Sequence, residues 1–591
     1  MHDINKVVLV GNQALAPVFI IGSASLSVLG QGAANLVTYA NGQTLHRLAQ
    51  PLNCYYQAIP LAPIEESYQR IYKLLSEVIE QVITEQSLTV EQLALTSLFL
   101  GSSSMDIGAV VSQSDQAIWL SKLDRINAYL VKKYGLNDLH FTFSTACTSS
   151  SNALIYATRL VRTGEVKTAL VIGCEFYNQL TLKGFNSLEL LSEQGLHAFS
   201  KHRDGMVLGE GVGALLLSNQ ANDECCLAIM DGYSSCDSYS LTTTEEDGSK
   251  ISEVIVKSIK LSGITAQNIQ LIKAHGTASL ASDQAEANAL ERVFGKKTPA
   301  LALKPFIGHT LGACGVLELA LLVDLVKQDI MPVPDYVQSL DQDVIDKSSK
   351  KHNTEASTGH LLTFVSAQQS FKNIDYILAN HCGFGGNNAA FVLKNLTAQN
   401  TVMSIDKPNA HSKVNLDVDI DVIAQNFVEY DAKLSAKVLR KQVKQLTGFE
   451  VRRMDSFTLI ALQALHDLFE NEQVKSLNLD KNQLGLYGVG DYFSVALLQS
   501  LVLSIEEGED VRPLDFISSV GNSANFYLAK QFNIRGVNLF TGASSEAIER
   551  TQKLAKTDLA LGIVDYAILV HWQQNEDISQ CAVSLFKQKA L

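Results

Sequence analysis

Short, fully apolar segments alternate with helical segments through the first 395 residues or so of the chain. Residues 18–22, 169–173, 213–217 and 389–393 are of this kind. Strands that are apolar on both faces are usually covered by helices on both sides of their sheet. The pattern therefore predicts a layered α/β fold. With 591 residues, 46% of them hydrophobic, the chain is long enough for several such units.

Composition narrows the range of partners and compartments. The net charge of −14 argues against nucleic acid as the main partner. The nine cysteines include no C-x-x-C pair and no Cys/His cluster with zinc spacing, so we expect no metal site. No stretch approaches about eighteen unbroken apolar residues, so we expect no membrane span. We predict a soluble protein of a reducing compartment, the cytoplasm.

Two polar stretches suggest how the chain is divided. Residues 396–414 carry Pro408 and have no hydrophobic period, so we expect a linker there. Residues 340–357, rich in Asp, Lys and Ser, are predicted to form a solvated surface loop. The predicted units are residues 1–225, 226–395 and 415–591.

An internal repeat joins the two ends of the chain. Residues 127–136 match residues 525–534 with four identities, starting at Asn127 and Asn525. Two further pairs of blocks follow in the same order: 150–153 with 544–547, and 168–172 with 566–570. We therefore expect residues 415–591 to repeat the fold of the N-terminal unit. The second copy is four residues shorter where the first carries Cys147.

Cys147 lies between an apolar, β-prone segment and a stretch with helical spacing that ends at Gly164. At a helix start the backbone N–H groups and the helix dipole favour a thiolate, the nucleophilic form. A lone cysteine is more often a packing residue. His275 and His309, each in a glycine-containing segment, supply the bases that a nucleophilic thiol needs.

Five blocks carry a family resemblance: residues 143–153, 203–213, 274–278, 304–315 and 383–388. Residues 18–395 resemble a β-ketoacyl-acyl carrier protein synthase, with the five blocks in family order. The resemblance implies a thiolase-like α/β/α/β/α fold of two related lobes, followed here by an additional degenerate lobe. It also implies an acyltransferase without a cofactor.

The resemblance also implies the site residues. Cys147 would attack an acyl thioester and hold the acyl group. His275 and His309 would bind the carbonyl of a malonyl thioester as its carboxylate leaves. Lys304 and Glu318 would orient and tune the histidines, and the backbone N–H groups of Cys147 and Phe384 would form the oxyanion hole. The implied partners are acyl- and malonyl-loaded acyl carrier protein and a second copy of the chain.

Two rival functions stay open at this point. A non-decarboxylating, thiolase-like acyl-coenzyme A condensing enzyme would carry a second catalytic cysteine, and Cys382 lies beside the C-terminal glycine loop. We interpret Cys382 as a packing residue, with a wider acyl pocket as a further hypothesis, and His309 favours the decarboxylating enzyme. The second rival is a catalytically inactive chain-length or scaffold partner, which would need neither Cys147 nor the two histidines.

The remaining polar residues are assigned supporting roles. Arg203 and Asp204 are predicted to form a structural turn, and Thr277, Asp283 and Glu286 to support the loop after His275. Four basic residues are candidates for carrier docking, although solvated helix faces are the commoner explanation: Arg70, Lys73, Lys132 and Lys133.

Residues 415–591 carry no counterpart of the nucleophile or of the two histidines. Residues 452–463 resemble the helix that opens the family's N-terminal lobe, and His571 and Trp572 are predicted to pack. This lobe would cover a face of the first unit, buttress a dimer, or shape the acyl tunnel. Such a fusion points to a specialised type II polyketide pathway, with aryl polyene synthesis as one candidate.

Overall fold

The structure is a computed structural model. It describes residues 16–36, 54–60, 64–111, 123–337, 361–399, 419–452, 454–490, 495–542, 546–575 and 577–589. The predicted surface loop at 340–357 and most of the predicted linker at 396–414 lie outside these residues. We call residues 16–222 the first lobe, residues 227–395 the second lobe and residues 419–589 the third lobe.

The first lobe contains eight described strands and six described helices. The strands are β1 (Val18–Ser27), β2 (Gly30–Gln31), β3 (Tyr56–Gln57), β4 (Thr96–Gly101), β5 (Phe141–Phe143), β6 (Thr168–Glu175), β7 (Leu208–Gly209) and β8 (Gly211–Ser218). The helices are α1 (Tyr68–Glu85), α2 (Val90–Ala94), α3 (Ile107–Val111), α4 (Arg125–Tyr134), α5 (Ser149–Thr163) and α6 (Gln179–Ser187).

The second lobe adds five described strands and four described α-helices. The strands are β9 (Leu227–Cys236), β10 (Leu271–Lys273), β11 (Ala300–Leu301), β12 (Tyr376–Cys382) and β13 (Asn387–Asn395). The helices are α7 (Ser249–Leu261), α8 (Leu280–Phe294), α9 (Lys304–Ile307) and α10 (Cys314–Gln328). Short 3-10 turns lie at Ala266–Asn268, Leu311–Ala313, Phe371–Asn373 and Phe384–Gly386.

The third lobe has five described strands and seven described helices. The strands are β14 (Ile420–Asp431), β15 (Leu484–Gly490), β16 (Asn538–Gly542), β17 (Tyr566–Gln574) and β18 (Ile578–Gln588). The helices are α11 (Ala436–Thr447), α12 (Ser456–Glu470), α13 (Glu472–Lys475), α14 (Val495–Glu506), α15 (Pro513–Ser518), α16 (Ser523–Phe532) and α17 (Ala547–Ala560).

Sixteen of the described strands form one continuous sheet through all three lobes. Apart from β2, which pairs with β1, its order is β11-β10-β12-β13-β9-β1-β8-β6-β4-β5-β16-β15-β17-β18-β14. The first and second lobes meet where β1 pairs with β9. The first and third lobes meet where β5 pairs antiparallel with β16.

Two helices, α5 and α10, fill the space between the part of the sheet in the first lobe and the part in the second lobe. In α5, 13 of 15 residues are buried, and in α10, 12 of 15 are buried, as expected for helices enclosed by protein on every side. Helix α1 covers the outer face of β1 and β8, and α7 covers the outer face of β9 and β13. The layered α/β/α/β/α fold expected from the sequence is confirmed.

The third lobe repeats the strand order of the first. The order β1-β8-β6-β4-β5 becomes β14-β18-β17-β15-β16, with the same parallel and antiparallel pairs. The repeated asparagines have the same role in both copies. Asn127 Nδ2 donates to the carbonyl of Phe141, and Asn525 Nδ2 donates to the carbonyl of Leu539. The repeat seen in the sequence therefore corresponds to a repeated supersecondary structure.

A buried polar network ties α5 to α17 across the junction of the first and third lobes. The Arg159 guanidinium donates to Asp558 Oδ1 at 2.7 Å and to the carbonyl of Gly232 in the second lobe at 2.7 Å. The hydroxyl groups of Tyr156 and Tyr487 both donate to Asp558 Oδ2. Since Arg159 and Asp558 have at most 1% of their side chains exposed, neither charge has water as an alternative partner.

The helices of the described ranges are all too short or too polar to cross a bilayer.

We predict that Asp558→Ala lowers the free energy of unfolding by about 3–5 kcal/mol, because it leaves the buried Arg159 guanidinium without its main counter-charge. Urea denaturation is the measurement. A matched control is Glu165→Ala, which removes a partly exposed ion pair with Lys553 across the same junction and is expected to cost less than about 1 kcal/mol. Equal losses in the two variants would contradict the assigned role of the network.

Candidate active site

Cys147 lies in a tight turn between β5 and α5. Ala146, the residue before it, has a φ of 51°, a left-handed conformation that is uncommon for a residue with a side chain. Side-chain hydrogen bonds hold the turn: Ser149 Oγ accepts from the Thr145 N–H at 2.9 Å and donates to the Ala146 carbonyl at 2.6 Å. The thiol is therefore held at the helix start by local hydrogen bonds.

A glycine lets the helix start close to the sheet. A Cβ at Gly101, the last residue of β4, would lie 2.4 Å from the Cα of Ser150. Because no side chain larger than hydrogen fits there, the first turn of α5 packs directly on β4. This packing fixes the depth at which Cys147 lies in the molecule.

Cys147, His275 and His309 line one cavity of about 210 Å³. His309 Nε2 lies 3.2 Å from the Cys147 sulfur, within hydrogen-bond reach. The two imidazole rings are perpendicular, with centroids 5.2 Å apart. The three residues that the sequence predicts as the catalytic centre are thus brought together.

Lys304 fixes the tautomer of His275. Its ammonium lies 3.2 Å from His275 Nδ1, 2.8 Å from the His275 carbonyl and 2.7 Å from Glu318 Oε1. An ammonium group can only donate, so Nδ1 accepts and the imidazole proton is carried by Nε2. His275 therefore has a hydrogen-bond donor on the side of its ring away from Lys304.

Burial and mutual electrostatic interactions set the protonation states of the two histidines, Lys304 and Glu318. Burial and the adjacent Lys304 ammonium hold the pKa of His275 and of His309 well below 6.5, so both rings are neutral near pH 7. Burial alone would raise the pKa of Glu318, but two ammonium groups hold it well below its usual range. Burial alone would lower the pKa of Lys304, but the Glu318 carboxylate raises it above its usual value.

The state of the Cys147 thiol differs from the expectation based on the helix start. Burial, followed by the nearby Cys314, raises the pKa of Cys147, while Lys304 and a hydrogen bond from the Phe384 N–H lower it. Burial outweighs the other influences, so the resting side chain is a thiol. His309 is the group in contact with the sulfur that can take its proton.

The glycine loop, residues 383–386, brings a second backbone amide close to Cys147. The Phe384 N–H is near enough to the Cys147 sulfur to lower the pKa of the thiol, and a Cβ at Gly383 would lie 3.2 Å from the Cys147 nitrogen. The amides of Cys147 and Phe384 are therefore neighbours. The third lobe holds this loop from behind, because Asn522 Nδ2 donates to the Phe384 carbonyl at 3.0 Å.

A second, smaller cavity of about 30 Å³ also reaches Cys147. Phe185 and Phe384 form part of its wall, with ring centroids 5.2 Å apart. Phe516 of the third lobe packs on the edge of Phe185 at 5.4 Å, and Val520 completes this end. The cavity beside the nucleophile is thus closed by residues of the repeated lobe.

The structure also locates the other polar residues singled out in the sequence. Asp283 accepts from the N–H groups of Thr277 and Ala278, and Glu286 accepts from those of His275 and Gly276, so both carboxylates support the loop. Trp572 stacks on Phe457 with centroids 4.6 Å apart, as expected of a packing residue.

One of the secondary expectations changes, and another stays a hypothesis. Arg70 is unsuited to carrier docking, because its side chain is 2% exposed and paired with Glu210. Cys382 lines the larger cavity together with Cys147, and it is not among the residues lining the smaller one. The hypothesis that Cys382 widens an acyl pocket stays a hypothesis.

Sequence reasoning missed Lys273 and His381, which are buried directly behind the histidine pair. Lys273 Nζ contacts Glu318 Oε2 and lies 2.7 Å from His381 Nε2. The available signal was a lysine within the apolar strand segment Leu271–Lys273, two residues before His275. A charged residue at such a position needs a buried partner.

Comparison with known families agrees with this geometry. Residues 64–222 match the model described as beta-ketoacyl synthase, N-terminal domain, and residues 227–334 match beta-ketoacyl synthase, C-terminal domain. Residues 64–334, somewhat less than half of the chain, thus match the two domains of the beta-ketoacyl synthase family. Among curated relatives, "3-oxoacyl-[acyl-carrier-protein] synthase 2" of Synechocystis is 32% identical over 265 residues. That match covers 42% of this chain and 60% of the relative.

A chloroplastic 3-oxoacyl-[acyl-carrier-protein] synthase I of Arabidopsis thaliana is 28% identical, over 44% of this chain and 55% of that protein. The chain thus spans between half and two thirds of the length of these relatives. Among solved structures, "PfaC Keto synthase-Chain length factor" is similar with a TM-score of 0.72 and 14% identity, over 97% of this chain and 78% of that chain. At this identity the similarity shows the fold alone.

Proposed function

We propose that this protein is a β-ketoacyl-acyl carrier protein synthase that extends a carrier-bound acyl chain with a malonyl unit and releases carbon dioxide. The observation that carries the proposal is the convergence of Cys147, His275 and His309 on one cavity, with Lys304 fixing the tautomer of His275. The names of the curated relatives support the same acyltransferase activity.

Acyl transfer is the first step of the proposed reaction. The Cys147 sulfur attacks the thioester carbonyl of an acyl-carrier substrate while its proton passes to His309 Nε2, 3.2 Å away. The amides of Cys147 and Phe384 stabilise the oxyanion of the tetrahedral intermediate. The carrier thiolate leaves, takes the proton from His309, and the acyl group stays on the sulfur.

Decarboxylation and condensation follow in the same cavity. Once the sulfur is acylated it no longer offers a proton to His309, so a neutral His309 can carry its proton on Nε2, as His275 does. The two N–H groups bind the malonyl thioester carbonyl and stabilise the enolate that forms as carbon dioxide leaves. The enolate carbon attacks the acyl carbonyl, the C–S bond breaks, and the thiolate of Cys147 regains a proton from solvent.

We further propose that the third lobe sets the length of the acyl group. Phe516 and Val520 close the small cavity beside Cys147, and Asn522 holds the glycine loop. Two similar solved structures pair a ketosynthase with a chain length factor. One is the PfaC structure, and the other is "Ketosynthase (ApeO) in Complex with its Chain Length Factor (ApeC) from Xenorhabdus doucetiae" (TM-score 0.52, 23% identity, 64% of this chain, 98% of that chain).

The proposed partner is acyl carrier protein, loaded with the acyl group or with malonate. A ketosynthase in complex with its acyl carrier protein is among the similar structures. The expected homodimer stays a prediction. Because β16 occupies the edge of β5 within the chain, a second copy would have to bind elsewhere.

We predict that incubation with acyl-carrier protein adds one acyl group to the enzyme, and that Cys147→Ala abolishes the adduct. Intact-protein mass spectrometry is the measurement. The matched control is Cys382→Ala, which removes the other thiol lining the cavity and is expected to retain the adduct. An adduct that persists in Cys147→Ala, or is lost in Cys382→Ala alone, would refute the assignment.

For the third lobe, we predict that Phe516→Ala lengthens the longest acyl group loaded on Cys147 by one or more two-carbon units, because it removes the ring that closes the small cavity. Competition among acyl-carriers of increasing length, with mass detection, tests this. Phe540→Ala is the control, since Phe540 is buried against Phe457 and Trp572 and does not line the cavity. The same chain-length profile in both variants would exclude the role.

A further inference from the structure

A second lysine is buried behind the histidine pair. Lys273 is the last residue of β10, and His381 lies on the neighbouring parallel strand β12, two residues past Ala379, which pairs with Lys273. The two side chains and Glu318 are each at most 1% exposed. The adjacent strands thus place an ammonium and an imidazole together in the core, next to the carboxylate that binds Lys304.

The Glu318 carboxylate bridges two ammonium groups. Oε1 accepts from Lys304 at 2.7 Å, and Oε2 accepts from Lys273. His381 Nε2, 2.7 Å from Lys273 Nζ, provides Lys273 with a second partner. With one oxygen held by each lysine, the carboxylate has a single orientation, and Lys304 keeps its remaining donors for the His275 ring and carbonyl.

Burial lowers the pKa of Lys273, and the Glu318 carboxylate offsets this only in part. As ammonium groups, Lys273 and Lys304 give the site two positive charges for one bridging carboxylate. Burial and Lys273 hold the pKa of His381 to about 3, so its ring is neutral. Lys273 also lowers the pKa of His275 and of His309, although less than burial, Lys304 and the neighbouring imidazoles do. The titratable groups that act on the His275 ring are Lys304, His309, His381 and Lys273. Glu286 accepts from the His275 backbone N–H, and the thiols of Cys147 and Cys382 line the same cavity.

Glu286 does not cancel this excess directly. Its carboxylate accepts from the backbone N–H groups of His275 and Gly276 and from Asn380 Nδ2 at 2.7 Å, and it makes no ion pair with either lysine among the described residues. Lys273 is consequently the group whose replacement changes the charge behind His275 without removing either member of the Lys304–Glu318 pair.

We propose that Lys273, held by His381, is a positioning residue of the condensing site: it fixes Glu318, and through Glu318 it keeps the Lys304 ammonium on Nδ1 of His275. Its charge also adds to the effect of burial and Lys304, which keep His275 and His309 neutral. This inference rests on the proposed function, because the neutral Nε2–H donors matter for stabilising an enolate.

The experiment uses the full chain, with malonyl- and acyl-carrier protein as substrates, and measures condensation from pH 5 to 8. Wild-type enzyme is expected to lose activity only well below pH 6.5. Removing a positive charge raises the pKa of both histidines, so Lys273→Met and Lys273→Gln are expected to move the acid limb to higher pH. Lys273→Gln keeps hydrogen-bonding groups for Glu318 and His381 and so preserves the packing.

Loss of a positioning residue is expected to change kcat and to leave KM nearly unchanged. Lys273→Met is expected to lower kcat by roughly tenfold or more, in line with a lost contribution to acid–base catalysis, with little change in KM. Arg70→Met is the matched control, because it removes a buried cation paired with Glu210, away from the cavity. It is expected to lower the melting temperature without moving the acid limb.

Three outcomes would overturn the inference. They are a wild-type acid limb centred near pH 6.5, an acid limb that does not move in a folded Lys273→Gln enzyme, and a kcat in Lys273→Met no lower than in Arg70→Met. An enzyme that forms no condensation product at any pH would refute the proposed function itself. An active wild type with unaltered variants would refute only the role of Lys273.

Discussion

The antiparallel pairing of β5 with β16 is the contact on which the rest of the structure depends. It continues the sheet from the first lobe into the third at the strand that immediately precedes the nucleophile turn. With this edge paired, α15 and α16 are placed beside the glycine loop, where Phe516 and Asn522 contact the site. An unpaired edge would leave backbone groups exposed next to the reactive thiol.

The chemistry depends on a small number of buried charges whose pKa values are set by one another. Glu318 accepts hydrogen bonds from Lys304 and Lys273, Lys304 fixes the tautomer of His275, and burial keeps His275 and His309 neutral and Cys147 protonated. Such a network is costly to bury and is sensitive to the loss of any member. In the proposed reaction its value lies in donors that are already oriented when the enolate forms.

Much of this could be predicted from the sequence, because the relevant signals are local. Apolar strands predicted the layers, the Asn127 and Asn525 blocks predicted the repeat, and the family resemblance of the blocks around Cys147, His275 and His309 implied the catalytic centre. The rest depends on contacts between distant segments. Packing decides three features that no local pattern encodes: β16 pairs with β5, Phe516 closes the small cavity, and Lys273 contacts His381 and Glu318. For the same reason Arg70, which is polar by sequence, proved to be buried.

The most direct test of the account is the release of labelled carbon dioxide from carboxyl-labelled malonyl-carrier protein, measured together with the mass of the carrier-bound product. The account predicts that carbon dioxide and a 3-oxoacyl product two carbons longer form in equal amounts, and that both require Cys147 as well as the acyl-carrier substrate. A condensation product formed from acetyl-coenzyme A without release of carbon dioxide, or a wild-type enzyme that forms no product at all, would contradict it.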